Sequence, residues 1–322
     1  MTISSHWQSG NDAMAPMISI NLCCYNSEKL LEETLQSIFT QTYKDWELVV
    51  INDGSTDSTE QIIRKHINDG WPIIYHYQSN AGLGASRNKA IELSTGEFIA
   101  IIDHDDLWLP SKLEKQMAIF FRSPQVGLVY TEQSILYHYP KGATKLVYNT
   151  YPYQRGNILL PLSLTDFITC SSIMVRTEVL NRVGLFNPEL KQVEEYDLIL
   201  RIASEFEIDY VEEPLVSYRL HSSNASKDSA RRDNEVQFLI QQAIKRTPFL
   251  KEEMGSLVFS LRVHGINLDM GQYYLLKNYW QKAHDWYGSW YALVRQLPQT
   301  LWLYWRSKKY RTQISPESVV KR

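Results

Sequence analysis

Three carboxylates lie within four positions of the chain, in the string Asp103-His104-Asp105-Asp106. Carboxylates this close repel one another unless a cation or hydrogen bonds offset their charge. Oxygen ligands suit a hard divalent ion such as Mg²⁺ or Mn²⁺, which often binds through one or two carboxylates together with the phosphates of a substrate. The string therefore predicts a cation site that takes a nucleoside diphosphate. The alternative is an acidic turn that only faces water.

Three further residues could complete such a site. Asp53 lies in a turn, where it could accept hydrogen bonds from a nucleotide base or a ribose, or cap the helix that follows. Tyr25 could stack on a base or pack at the edge of the core. Arg87 follows the glycines of the loop 82–84 and could lie near a phosphate.

The elements that would position these residues alternate between strands and helices. Four apolar runs of strand length are separated by segments whose apolar residues recur at helical spacing, and the runs cover residues 18–23, 48–51, 73–77 and 98–102. This repetition predicts an α/β fold, with a mostly parallel sheet and helices on both faces. Ligands bind beyond the carboxyl ends of the strands in such sheets, so Tyr25, Asp53 and the acidic string should meet at one edge.

Local signals suggest where the first helices begin. Asn26-Ser27 is predicted to cap the helix that carries Leu31, and Asp57 with Glu60 resembles a capping box for the next helix. Later strands are predicted at residues 126–130 and 211–220.

Composition narrows the class of protein. The 322 residues carry a formal net charge of −3, which gives no general attraction to nucleic acid or to acidic membranes. Hydrophobic residues make up 44% and charged residues 21%, as in globular proteins. Three cysteines, two of them adjacent, do not form a disulfide framework, which indicates a reducing compartment. No run approaches the roughly 18 apolar residues of a membrane span, so we expect a cytoplasmic protein.

The C-terminal part, from about residue 226, is predicted to be helical and holds five of the nine tryptophans. Two interpretations are open. The helices could form a bundle that completes the core. Alternatively, the aromatic and basic residues of segment 280–311 could lie on anionic lipid at the inner face of the cell membrane.

Several motifs follow one another in a fixed order along the chain. They are Cys24-Tyr25-Asn26, Asn52-Asp53-Gly54-Ser55, Asn80-Ala81-Gly82, Ser86-Arg87-Asn88, Asp103-His104-Asp105-Asp106, Glu194-Glu195-Tyr196-Asp197 and Tyr218-Arg219-Leu220-His221. In this order and spacing they resemble the motifs of family-two inverting glycosyltransferases, which have a GT-A fold. The resemblance covers residues 17–225, and we expect a disordered tail over 1–16 and a separate helical region over 226–322. This helical region would face the acceptor or lie on the membrane surface, which would suit a lipid-linked acceptor.

The resemblance implies roles on the donor side of the site. Tyr25 and Asp53 would contact the base of the donor, usually uracil, and Asp103 would lie near the ribose and diphosphate. Asp105 would be the main protein ligand of the metal. In many relatives a histidine near His221 lies close to the diphosphate or metal, so it could be a further ligand; a surface histidine on a loop is the alternative.

The resemblance also implies the catalytic base. The acidic pair of the family falls on Glu194-Glu195, which makes Glu195 the base, where the family more often has Asp. Two further departures are Cys23, where Pro is common, and Asn187, where Asp is common.

Together these features predict an inverting glycosyltransferase that depends on Mn²⁺ or Mg²⁺. It would move a sugar from a nucleoside-diphosphate sugar, a UDP-sugar, to a hydroxyl of a saccharide or lipid-linked acceptor in surface polysaccharide biosynthesis, with no nucleic acid partner. One alternative is a sugar-1-phosphate nucleotidyltransferase, but that class carries a Gly-rich, basic loop where this chain has Cys24-Tyr25-Asn26-Ser27. The other is a binding module for a nucleotide or saccharide that has no activity.

Overall fold

The computed structural model describes residues 17–138, 144–148, 153–221 and 229–263. These residues divide into two compact units. The first comprises the described residues up to 158 together with 167–221, and the second comprises Leu159–Asp166 and the described residues from 229 onward. The predicted tail at 1–16 lies outside the described residues, and a functional boundary at residue 225 stays a prediction.

Strands and helices alternate through the first part of the chain. They are β1 (Ile18–Cys24), α1 (Leu31–Phe39), β2 (Trp46–Asp53), α2 (Thr59–Asn68), β3 (Ile73–Gln78), α3 (Leu83–Leu93) and β4 (Phe98–Asp103). The remaining elements up to residue 220 are β5 (Leu107–Trp108), α4 (Lys112–Arg122), β6 (Val126–His138), β7 (Thr144–Tyr148), α5 (Leu159–Leu164), β8 (Met174–Arg176), α6 (Thr177–Val183), α7 (Glu194–Ala203) and β9 (Glu207–Leu220). All of them except α5 belong to the first unit.

The described strands form one sheet in the order β3-β2-β1-β4-β8-β6-β9-β5, with β7 paired to β6. Strands β1 to β4 are parallel, as the alternating pattern predicted. Strand β8 runs antiparallel to both β4 and β6, so the complete sheet is mixed. Strand β6 is longer than predicted because its pairing with β9 continues along both strands, as far as Tyr137 opposite Leu220.

Helices cover both faces of the parallel part of the sheet. Leu48 and Val50 of β2 pack in one core cluster with apolar residues of α1, α2 and α4. Val49 and Ile51 point the other way and pack with Ala90 of α3. Successive side chains of a strand alternate between the faces, so a continuous apolar run is what a strand buried on both sides requires.

The register of the parallel strands defines the edge where a ligand would bind. Cys23 of β1 lies opposite Ile51 of β2 on one side and Asp103 of β4 on the other. The chain therefore leaves these three strands at the same level. Residues far apart in sequence are brought to this edge, as the strand pattern predicted.

The predicted cap of α1 is wrong, and the capping box predicted for α2 forms only in part. Helix α1 begins only at Leu31, and the hydroxyl of Ser27 instead accepts the N–H of Tyr25 at 3.1 Å. Asp57 accepts the N–H of Thr59 at 3.1 Å, but Glu60 pairs with Arg64, so no capping box closes. The β1–α1 and β2–α2 loops also bind each other, since the Thr59 hydroxyl accepts the N–H of Ser27 at 2.8 Å and Asp57 accepts the N–H of Glu28 at 3.1 Å.

The second unit consists of α5, α8 (Ser229–Arg246) and α9 (Phe249–Val263). Arg262 of α9 is buried and donates to the carbonyl of Ser163 at 2.6 Å, which ties α9 to α5. The predicted helical region is thus confirmed as far as residue 263. Within the described part of the chain, no helix has the length and apolar character needed to cross a membrane. The predicted lipid-facing segment 280–311 lies outside the described residues.

Candidate functional site

The acidic string forms a tight turn at the end of β4. Asp103 donates its N–H to the Ser171 hydroxyl at 3.0 Å, and its carbonyl accepts the N–H of Asp106 at 3.1 Å. The side chains of Asp103 and Asp105 keep 30% and 14% of their surface exposed, whereas Asp106 is buried. The turn therefore offers Asp103 and Asp105 to a ligand and keeps Asp106 inside.

The repulsion expected among the three carboxylates acts most strongly on Asp106. Burial raises the pKa of Asp106 well above its usual range, and the negative charges of Asp105 and Asp103 raise it further. The turn therefore disfavours the charged form of Asp106, the most deeply buried of the three side chains.

Arg87 connects the acidic turn to helix α7. Its buried guanidinium donates to the Asp103 carboxylate at 2.8 Å and to the Glu194 carboxylate at 2.8 Å. The Glu195 carboxylate lies 3.9 Å from the same guanidinium. The structure thus brings together Arg87, Asp103 and Glu195, three of the predicted site residues. A phosphate contact of Arg87 stays a prediction, since its guanidinium is engaged by carboxylates here.

The two adjacent glutamates at the start of α7 have different surroundings. Only 3% of the Glu194 side chain is exposed and it is held by Arg87, whereas 21% of the Glu195 side chain is exposed. Both lie in the first turn of the helix, where the helix dipole favours negative charge. Glu194 is thus an internal partner of Arg87, and Glu195 is the one that solvent or a substrate can reach. Its role as base stays a prediction.

Asp105 and His221 face each other across the site. The Nε2 atom of His221 lies 2.8 Å from a carboxylate oxygen of Asp105. An oxygen and an imidazole nitrogen at this separation are donors that Mn²⁺ accepts. In the portion of the chain that the structure describes, no group of three or more His, Cys, Asp or Glu side chains could hold a metal ion. A cation held by this pair would need its remaining ligands from phosphate and water, and the metal-binding role of Asp105 and His221 stays a prediction.

Tyr25 lies at the same edge, directly after β1, and half of its surface is exposed. The next residue, Asn26, has a φ of +49°, which is unusual for a residue other than glycine. Its side chain accepts the N–H of Thr56 at 2.9 Å, and its own N–H donates to the Ser55 hydroxyl at 2.9 Å. These bonds hold the strained turn and leave the ring of Tyr25 open for stacking.

Asp53 is buried at the end of β2, and its carboxylate joins two loops. It accepts the N–H of Ala81 at 2.8 Å, the N–H of Gly82 at 3.0 Å and the side-chain amide of Gln78 at 2.8 Å. It therefore braces the entry into α3 and does not cap α2, the helix that follows it in sequence. A carboxylate has about four acceptor positions, so Asp53 could accept one further hydrogen bond. A bond from a nucleotide to Asp53 stays a prediction.

Three other residues shape the site and were not predicted from the sequence: Glu194, Ser171 and Arg219. Arg219 donates its main-chain N–H to the Asp106 carboxylate at 3.1 Å and is completely buried. Its place in the motif Tyr218-Arg219-Leu220-His221, two positions before His221, was the available signal. For Ser171 the sequence carries no comparable signal.

A family model described as glycosyl transferase family 2 matches residues 19–184. This range is just over half of the chain. It ends before the predicted base and the predicted metal-binding histidine, and it includes the other five predicted site residues, Tyr25, Asp53, Arg87, Asp103 and Asp105.

Two curated relatives show how much of the chain is shared. An uncharacterized glycosyltransferase of Rickettsia conorii is 31% identical over 69% of this chain, and the chain spans 37% of the length of that longer protein. The Bacillus subtilis glycosyltransferase TuaG, named for teichuronic acid biosynthesis, is 26% identical over 73% of this chain and 91% of that protein.

Two solved structures have a similar fold. Staphylococcus aureus TarS 1-349, in complex with UDP-GlcNAc, has a TM-score of 0.59 at 21% identity and covers 77% of this chain and 71% of that chain. The mannosyltransferase PcManGT of Pyrobaculum calidifontis, in complex with GDP-Man and Mn²⁺, has a TM-score of 0.59 at 20% identity and covers 96% of this chain and 87% of that chain. At these identities the likeness concerns the fold alone, and it confirms the predicted GT-A fold.

Proposed function

The chain belongs to glycosyl transferase family 2, and from this premise we propose that it is an inverting, divalent-metal-dependent transferase that uses a UDP-sugar. The acceptor is a hydroxyl of a saccharide or of a lipid-linked saccharide, and the product is a surface polysaccharide. The complex of TarS with UDP-GlcNAc supports the donor class, and the naming of TuaG for teichuronic acid biosynthesis supports the acceptor class. The Mn²⁺ in the PcManGT complex supports the metal.

One observation carries the proposal. The buried guanidinium of Arg87 holds Asp103 at 2.8 Å on one side and lies 3.9 Å from Glu195 on the other. A donor subsite beside Asp103 and a base at Glu195 would then act on the same sugar. Fixed geometry between reacting groups is a major source of rate enhancement.

The reaction is a single displacement at the anomeric carbon of the donor sugar. Glu195 accepts the proton of the acceptor hydroxyl while that oxygen bonds to the anomeric carbon. The bond from this carbon to the diphosphate breaks, and the electron pair leaves with the diphosphate. Attack opposite the leaving group inverts the anomeric centre. Glu194 keeps its bonds to Arg87, so Glu195 alone among the two glutamates moves the proton.

Asp105 and His221 would hold the divalent cation. When bound, the cation would stabilise the negative charge that develops on the leaving diphosphate. Tyr25 would stack on the uracil, and Asp53 would accept a hydrogen bond from it while bracing the loop at Ala81.

The test is sugar transfer by purified protein, with Mn²⁺ and a panel of UDP-sugars and GDP-mannose, in the presence of saccharide acceptors. Replacement of Glu195 by Gln should lower kcat by about 10²–10⁴-fold, since proton transfer by a side chain contributes that much. Glu195→Asp should retain part of the activity, because the carboxylate is kept and only its reach changes. The coupling constant of the anomeric proton in the proton NMR spectrum of the product shows whether the configuration is inverted.

Glu92→Gln is the matched control, since Glu92 is an exposed glutamate that pairs only with Lys89 in the described contacts. It should keep full activity. Wild-type turnover by both Glu195→Gln and Asp105→Asn proteins would refute the proposal, as would a product that retains the anomeric configuration.

A further inference from the structure

Arg219 lies near the end of β9, with no exposed surface, and its guanidinium fans out over the acidic turn and helix α1. Its Nε atom donates to the main-chain carbonyl of Asp105. One terminal nitrogen donates to the Glu33 carboxylate at 2.9 Å, and the other donates to the Leu30 carbonyl at 3.1 Å and to the Thr34 hydroxyl at 2.9 Å. The guanidinium therefore has acceptors on three sides.

The Thr34 hydroxyl extends this set of contacts to the neighbouring peptides. Its oxygen lies 2.9 Å from the carbonyl of His104 and 2.9 Å from the carbonyl of Asp106. The hydroxyl accepts the bond from Arg219 and has one proton to donate, so it bonds one of these two carbonyls at a time, while Arg219 itself donates to the carbonyl of Asp105 between them.

The main chain of Arg219 makes a second contact with the turn, from its N–H to the Asp106 carboxylate at 3.1 Å. His221 follows two residues later, and its imidazole meets the Asp105 carboxylate at 2.8 Å. The end of β9 thus places Arg219 against the backbone of the turn and His221 against the Asp105 carboxylate. With its carbonyl held inside, Asp105 presents its side chain towards His221.

A fully buried cation is costly unless acceptors surround it, and only a guanidinium offers several donors in a fixed fork. A lysine at this position could not serve the Asp105 carbonyl, Glu33 and Thr34 together. The residue present is arginine, whose buried charge needs several acceptors, and it lies next to the turn that carries the candidate metal ligands.

We propose that Arg219 and Thr34 are positioning residues, which hold the backbone of residues 104–106 so that Asp105 and His221 are in place before a divalent cation binds. This inference rests on the proposed function, because the cation belongs to it. Residues that orient the ligands of a metal typically change metal affinity by 10–100-fold when they are replaced.

The test compares Arg219→Lys and Thr34→Val with Arg176→Lys. Arg176 is the matched control because it also donates to two main-chain carbonyls, those of Val126 at 3.0 Å and Phe120 at 3.2 Å, but pairs in the sheet with Phe98 at the opposite end of β4. Two quantities are measured in folded protein: hydrogen exchange of the amides of residues 104–107 without ligand, and Mn²⁺ affinity by calorimetry with UDP present.

In both Arg219→Lys and Thr34→Val, hydrogen exchange of these amides should be at least tenfold faster than in the unchanged protein. Both variants should also bind Mn²⁺ at least tenfold more weakly. Arg176→Lys should change neither quantity. If Arg219→Lys does not fold, Thr34→Val, which exchanges one hydroxyl for a methyl group, decides the matter. Normal exchange and normal Mn²⁺ affinity in the site variants, or equal effects in the control, would overturn the positioning role. Failure of the unchanged protein to bind Mn²⁺ with UDP would instead overturn the proposed function.

Discussion

Arg87 gives two adjacent glutamates different surroundings. Glu194 and Glu195 are adjacent in sequence, yet only Glu194 lies at 2.8 Å from the guanidinium, and Glu195 lies at 3.9 Å with more of its surface exposed. The closer glutamate offsets the buried positive charge. The other is the more exposed of the two and is the one proposed as the base.

The buried pair of Arg87 and Glu194 leads to a prediction about stability. Arg87→Met leaves the Glu194 carboxylate buried without its cation, and breaking a buried ion pair from one side costs about 3–5 kcal/mol of the free energy of unfolding. Urea unfolding followed by circular dichroism measures this loss.

The matched control is Arg64→Met. Arg64 is exposed and pairs with Glu60 one helical turn away, so its replacement should cost less than about 1 kcal/mol. Equal losses in the two variants would show that the Arg87 network does not stabilise the fold.

At the scale of elements, the loop after β2 carries much of the donor side. Gly54 has a φ of +79°, and a Cβ atom there would lie 2.8 Å from the main-chain nitrogen of Asn80. Asn80 in turn donates to the carbonyl of Asp53 at 3.1 Å. The β2–α2 loop and the entry into α3 therefore fit together only because position 54 has no side chain.

Gly54→Ala should destabilise the protein more than Gly70→Ala. Both positions have positive φ, which costs an alanine about 1–2 kcal/mol, but a Cβ atom at Gly70 would meet nothing within 4 Å. The clash at Gly54 should add about 1–3 kcal/mol, as overpacking does.

Urea unfolding gives this difference, and UDP titration should show weaker binding only for Gly54→Ala, because the loop at Asn80 must shift. Equal free energies of unfolding in the two variants would mean that the β2–α2 loop and the entry into α3 can move apart without loss of stability.

At the scale of the whole molecule, the formal net charge is −3, so no strong general field draws an anionic donor to the protein. Under the proposed function, affinity for the nucleoside diphosphate would come from local groups and from the divalent cation. This predicts that the metal and the nucleotide bind together.

Thermal unfolding should reveal this coupling. A ligand at 100 times its Kd stabilises the native state by about 2.7 kcal/mol, and we expect UDP with Mn²⁺ to raise Tm by more than the sum of UDP alone and Mn²⁺ alone. In Asp105→Asn the increment that depends on Mn²⁺ should be lost and the effect of UDP alone kept. Additive shifts in the unchanged protein, or an intact increment in the variant, would contradict a shared site.

The sequence by itself determined the alternation of strands and helices, the parallel pairing of β1 to β4 and the position of Asp103 at the end of a buried strand. These features depend on contiguous residues, because apolar periodicity and strand ends are local properties. The common edge of Tyr25, Asp53 and Asp103 follows from the same pattern. The predicted cap at Ser27 was wrong and the capping box of Asp57 with Glu60 did not close, since the Ser27 hydroxyl bonds to Tyr25 and Glu60 pairs with Arg64.

Only the tertiary structure decided which glutamate is buried, how β8 runs and what Arg219 does. Arg87 and Glu194 are separated by 107 positions, and Arg219 and Glu33 by 186. No local pattern encodes such contacts, because each depends on the packing of elements that meet only after the sheet has formed. The sequence gives the types of residue that could take part in the chemistry. Their burial and their partners depend on tertiary contacts between distant residues.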